Sequence, residues 1–203
     1  MTEKKWYPVL YMFLITAFFS AIVIGLNQAT SKRVQANQTL IFEKAVLSVL
    51  PNVYDPNQKL SGIEVHNLFV EKVQPPSSQT AGAYTTAENG KISAYALPFQ
   101  GQGFWAEIKI VIGIAADKKT ILGLAVYQQN ETPGLGAEIT KPEFRNQFEG
   151  KIIAQPPTMI SFARPGSTLN ESSVHAITGA TQTSVRLEKI INEGLQKWQQ
   201  EVQ

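Results

Sequence analysis

Cysteine is absent from the 203 residues, which excludes a disulfide framework, a thiolate zinc site and a Cys-ligated iron–sulfur cluster within this chain. Histidine is nearly as scarce. His66 and His175 are the only two, and they lie too far apart in sequence to suggest a metal-spaced cluster, so no metal site is expected. Any electron chemistry would therefore rest on a bound organic cofactor. An excess of one charge is missing too: the formal net charge is +2, and no basic run has the footprint that nucleic acid requires. Nucleic acid is set aside as a partner. No arrangement of nucleophile and base suggests covalent turnover, so no catalytic residue is assigned.

What remains suits a folded domain. The hydrophobic fraction is 43% and the charged fraction 17%, outside the range of disordered chains. The length allows one ordinary domain plus an appended element. That element is at the start. No charged residue occurs from Trp6 to Ser31, and Val9 to Leu26 is almost wholly apolar. Roughly 20 such residues cross a bilayer core as a helix. Trp6, Tyr7 and Tyr11 sit at one end, where amphipathic rings favour the lipid interface, and Pro8 suits a first helical turn. A cleaved signal peptide or a buried core helix would be the alternatives. The run is longer than a signal h-region, and Asn27-Gln28-Ala29 is a poor cleavage site. The reading is an uncleaved anchor in contact with membrane lipid. Lys4 and Lys5 before the span are balanced by Lys32 and Arg33 after it. The simplest arrangement keeps the short tail in the cytoplasm and exports the rest.

Residues 1–30 are thus expected to be tail and anchor, 31–52 a stalk helix ended by Pro51-Asn52, and 53–203 an exported domain. Val34, Leu40, Ile41, Ala45, Val46 and Val49 give the stalk its helical spacing. His66, in a polar stretch, reads as surface, and residues 74–78 read as a loop. Lys91 to Leu97, Phe104 to Ala116 and Ile121 to Gln128 predict strands, the last two joined by a hairpin turn at residues 117–120. A short helix is expected over Pro142 to Phe148, stopped by Gly150, and a strand near Thr158 to Phe162. A terminal helix starts near Thr181 or Gln182, with Leu187, Ile190, Ile191, Leu195 and Trp198 on one apolar face. The fold class is α+β, an antiparallel sheet with packed helices.

Three segments hold the candidate chemistry. In the first, Thr178-Gly179-Ala180-Thr181-Gln182-Thr183 leads into the terminal helix. A helix N-terminus presents unpaired N–H groups and about half a positive charge, which favour a phosphate. Gly179 and Ala180 would let that phosphate approach the backbone, with the Thr181 hydroxyl beside it. The same residues also suit a plain helix cap by Thr178 or Thr181. The second segment is Glu131-Thr132-Pro133-Gly134-Leu135-Gly136, a loop able to lie against a flat ligand or merely a tight turn. The third is Gly101-Gln102-Gly103-Phe104-Trp105, whose aromatics read most simply as core of the following strand.

Together the three segments resemble the FMN-binding domain family, which includes the G subunit of Rnf electron-transport complexes and the C subunit of sodium-translocating NADH:quinone reductase. The likeness runs from about Gly101 to the terminal helix. Its most specific element is Thr178-Gly179-Ala180-Thr181, matching the family's [ST]-G-A-[ST] flavinylation motif. The resemblance implies FMN esterified through its phosphate to Thr181 by a separate flavin transferase. It implies that Thr178, Gly179, Ala180 and Thr183 line the phosphate end. Glu131, Thr132, Gly134, Leu135 and Gly136, with Trp105, would lie against the ring system. It further implies an electron-carrying subunit, without turnover of its own, in a redox-driven ion-translocating complex of a bacterial or archaeal membrane. The Rnf type, passing electrons between ferredoxin and NAD, is the first expectation, and the quinone-reductase type is the alternative. A membrane-anchored scaffold without redox function is the reading from another class. One position departs from the motif: His175 stands where the family has Asp.

Overall fold

A computed structural model describes residues 6–55 and 58–202. The tail residues 1–5, on which part of the orientation argument rests, lie outside it. The chain divides into two compact units, 1–40 and 41–203. Helix α1 (Trp6–Ser48) is continuous over 43 residues, ending just before Pro51. Its N-terminal part is long and apolar enough to cross a membrane, and its large side chains, Phe13, Phe18 and Val23 among them, are exposed.

In the second unit, a four-stranded antiparallel sheet is formed by β1 (Tyr84–Glu88), β2 (Lys91–Gln102), β3 (Glu107–Ala115) and β4 (Ile121–Gln128), side by side in chain order. Alternation along β3 explains its layers. Ile108, Ile110, Ile112 and Ile114 are fully buried in one core with Leu187, Ile191 and Leu195 of the terminal helix α4 (Thr181–Glu201). The opposite face carries Val111 and Gly113, and any side chain at Gly113 would strike the Val49 backbone. Both faces of β3 are therefore covered from Ile110 to Ile114, and the sequence there is continuously apolar, whereas Glu107 and Lys109 at its start alternate with Ile108. Phe42, late in α1, packs edge-on to Tyr84 and Tyr127, with ring centroids 5.4 and 5.3 Å away. The architecture is α+β as expected, and β4, the 117–120 turn and α4 fall where the sequence predicted them.

Several elements differ. β2 runs five residues past Leu97, through Pro98 and Gly101. β3 starts at Glu107, so Phe104 and Trp105 lie in the preceding turn; they are 45% and 65% exposed and are not core. The helix expected over 142–148 divides into α3 (Pro142–Arg145) and a 3-10 turn at Asn146–Phe148. The strand expected near 158–162 is β5 (Ser161–Ala163), which pairs in parallel with β6 (Ser173–His175). Helix α2 (Gly62–Lys72) has no counterpart among the predicted elements, although Ser61 and Glu64 cap each other's backbone N–H reciprocally at its start. His66 lies on α2. It is exposed on one side, yet its Nδ1 is 2.7 Å from Oε1 of the buried Glu43.

Candidate functional site

The terminal helix opens without a side-chain cap. Ala180 occupies the cap position, and neither Thr178 nor Thr181 bonds the first-turn N–H groups. Both threonines are exposed, and neither hydroxyl has a hydrogen-bond partner among the described residues. The plain-cap alternative is thereby overturned. Ser184 does brace the entry, its Oγ accepting from the Ile177 N–H at 3.1 Å. What faces outward is a set of unpaired amides, the positive end of a 21-residue helix and a free hydroxyl.

Glu131 joins the other two segments to this helix. Its side chain is buried, and Oε1 accepts from the backbone N–H of Phe104 at 2.9 Å and of Trp105 at 3.2 Å. Oε2 accepts from the Thr183 hydroxyl at 2.6 Å. A carboxylate that receives three donors satisfies the burial requirement for a polar group. Gly103 and Gly136 press against the same carboxylate, where a Cβ would overlap it. Trp105 adds a bond from its Nε1 to Thr132 Oγ1 at 3.1 Å, and its ring sits edge-on to Phe104, centroids 4.8 Å apart. Beyond the Glu131 bonds, the 131–136 loop is folded by its own backbone. The N–H groups of Leu135 and Ala137 both donate to the Thr132 carbonyl at 3.1 Å, and Gly134 takes φ 75°.

These contacts close around a cavity of about 270 Å³. Of the expected residues, Glu131, Thr132, Leu135, Gly136, Gly179, Ala180, Thr181 and Thr183 line it. Thr178, Gly134 and Trp105 do not; Trp105 flanks it through the bond to Thr132. Phe104 and Gln182 line it and were not singled out. Phe104 follows Gly103 in the sequence, but its aromatic character reads most simply as strand core. No Lys, Arg or His lines the cavity. His175 lies at the end of β6, its N–H donating to Gln147 Oε1 at 2.7 Å and its Nδ1 3.3 Å from the Arg164 carbonyl oxygen. Among the described residues, no group of acidic or histidine side chains is placed to hold a metal.

Residues 103–196, which contain all the cavity-lining positions of the three segments, match the FMN-binding domain family. This part of the chain belongs to that family. The C subunit of a sodium-translocating NADH-quinone reductase from Chlamydia pneumoniae is 33% identical, over 74% of this chain and 52% of that protein. The G subunit of a proton-translocating ferredoxin:NAD(+) oxidoreductase complex from Clostridium ljungdahlii is 27% identical, over 90% of this chain and 86% of that protein. The chain thus spans about half the length of the Chlamydia relative. A solved structure of the C subunit of the quinone reductase from Parabacteroides distasonis has the same fold, with TM-score 0.67 at 22% identity, covering 84% of this chain and 96% of that one.

The cavity fits the FMN-binding assignment in chemical terms. The uncapped α4 amides suit a phosphate. Gly179 takes φ 77°, and a Cβ there would come within 3.0 Å of Leu135, so the backbone lies bare where a phosphate and ribityl chain would approach. Exposed Phe104 and Leu135 supply apolar contact beside it.

Proposed function

We propose that this protein is an electron-carrying subunit of an ion-translocating membrane redox complex, anchored by α1 and holding FMN as a phosphoester of Thr181. The observation that carries the proposal is the Thr181 hydroxyl, exposed and unpartnered at the mouth of an uncapped helix and directly on the cavity built from three separate segments. FMN, when bound, supplies one- and two-electron redox chemistry. The chain supplies placement: α4 amides at the phosphate, Leu135 and Phe104 beside the ring, and Glu131 fixing both walls. Thr178 and Gly134 shape the approach without lining it, and Trp105 flanks it. A covalent tether suits a relay between fixed partners, since the carrier cannot dissociate in any redox state.

Esterification requires proton removal from the Thr181 hydroxyl. No base other than Glu131 lines the cavity, and that carboxylate is committed to three donors. This supports installation by a separate flavin transferase, which would take the Thr181 proton, cleave the pyrophosphate of FAD, pass the FMN phosphoryl group to Thr181 Oγ and release AMP. Between the two assemblies, the Rnf type is favoured by the likeness to the Clostridium protein over most of both chains. The quinone-reductase type is favoured by the higher identity to the Chlamydia protein. The remaining partners are the other subunits of that complex, membrane lipid and the transferase.

The attachment is tested by expressing the full chain in membranes with the transferase and viewing the denatured band under ultraviolet light. Wild-type and Thr178→Ala chains are expected to fluoresce, and Thr181→Ala is expected to be dark. A fluorescent Thr181→Ala band would move the attachment elsewhere.

A further inference from the structure

Strand β2 outruns its neighbour. β1 pairs with it only as far as Tyr84 opposite Ala96, whereas β3 pairs with it to Gln102 opposite Glu107. β1 ends there because Ala81 (φ 48°) and Gly82 (φ 80°) turn the chain away, and the Gly82 N–H donates to the Ser77 carbonyl instead. The sheet is therefore open along one side of residues 98–102.

Which groups face the opening follows from a single pairing. Thr85 exchanges both of its backbone bonds with Gln74, at 2.8 and 3.2 Å, so its N–H and C=O point away from β2. Backbone direction alternates along an antiparallel strand. Tyr84 and Thr86 therefore face β2, meeting Ala96 and Ala94. The β2 residues of the same parity beyond Ala96 are Pro98, Gln100 and Gln102. They aim the N–H groups of Gln100 and Gln102, and all three carbonyls, at the opening. None of these groups has a protein partner among the described residues. Pro98, which has no N–H to give, sits at the kind of edge position where a sheet tolerates proline.

The edge forms one side of a groove of about 610 Å³ whose other wall is α4. Helix and strand are held close by paired glycines, Gly101 beneath Ile190 and Gly194 against Phe99. On the α4 wall, Lys189 and Lys197 are answered by Glu193 and Glu201 at 3.7 and 4.0 Å. Arg186 has no ion pair among the described residues, and its buried Nε has no hydrogen-bond partner. It lies one turn before Ile190, toward the Gln102 end and the flavin cavity.

We propose that this edge receives an extended, acidic segment of a partner protein, added as a strand beside β2 with a carboxylate on Arg186. Unpaired backbone donors and acceptors at strand spacing select an extended peptide, and the unanswered guanidinium selects its charge. The added strand would end beside Phe104, placing the partner next to the redox cavity. The inference needs a partner protein but not the flavin.

The test compares residue-level amide exchange of the full chain purified alone with that of the chain in the membrane assembly with which it co-purifies. The Gln100 and Gln102 amides are expected to slow by about tenfold or more on assembly, while Phe99 and Gly101, already bonded to β3, are unchanged. Gln100→Pro removes an edge donor without touching the β3 ladder. It is expected to leave the unfolding midpoint and covalent flavin intact while cutting partner retention about tenfold, the loss of one strand-addition bond at its core. Arg186→Gln should weaken retention in the same direction. Equal exchange of Gln100 and Gln102 in both samples, wild-type retention by Gln100→Pro, or a chain that leaves the membrane without any partner would each overturn the proposal. The mass of the same preparation reports on Thr181 separately.

Discussion

Glu131 shows how one side chain can organise a cavity that its sequence motif only hints at. The Glu-Thr-Pro-Gly-Leu-Gly segment reads in sequence as either a ligand-facing loop or a tight turn, and most of its residues line the cavity. That its carboxylate would be buried, holding the Phe104–Trp105 turn on one side and Thr183 on the other, was not legible, because the partners are 26 to 52 positions away. Glu131→Ala would leave two backbone amides and a hydroxyl without acceptors. We expect a loss of about 2–4 kcal/mol in urea unfolding of the full chain, following the usual penalty for orphaned polar groups, with Glu131→Gln intermediate. An unchanged midpoint in Glu131→Ala would show that the clamp does not operate. The start of α4 at Thr181 was legible from local helix-start chemistry, whereas the role given to its hydroxyl came from the family resemblance.

At the scale of elements, long apolar periods were readable and short, context-made pieces were not. β4 is a continuous β-prone apolar run and α4 carries an unbroken pattern of period 3.6. β2 reads as ending at Leu97 because Pro98 normally halts a strand, yet the proline faces an open edge and costs no ladder bond. β6 has three residues and exists only through its pairing with β5. For α2 a signal was present: Ser61 and Glu64 form a capping box three residues apart. In the late part of α1, Phe42 packs between Tyr84 and Tyr127, and burial pushes both tyrosine hydroxyls above their ordinary value near 10. A folded-state pKa above the unfolded one means stability that is complete below about pH 10 and declines as pH rises through the folded value. Unfolding midpoints measured from pH 8 to 11 should therefore fall above pH 10. Replacing both tyrosines by phenylalanine should remove that component of the decline, and an identical fall in the double variant would contradict it.

At the scale of the whole molecule, the chain contains an apolar helix able to cross a membrane and a domain with a cavity braced by Glu131. The domain after α1 is expected on the outer face of the cell membrane. Protease added to spheroplasts should digest it and protease added to inverted vesicles should not; the reverse pattern would turn the orientation around. All of this bears on electron transfer only if the Thr181 hydroxyl becomes an ester. The decisive measurement is the intact mass of the full chain taken from membranes that also contain the transferase. The expected mass is that of the polypeptide plus one FMN less one water, with fragmentation placing the addition on Thr181. A bare polypeptide mass from that preparation would contradict the flavin relay.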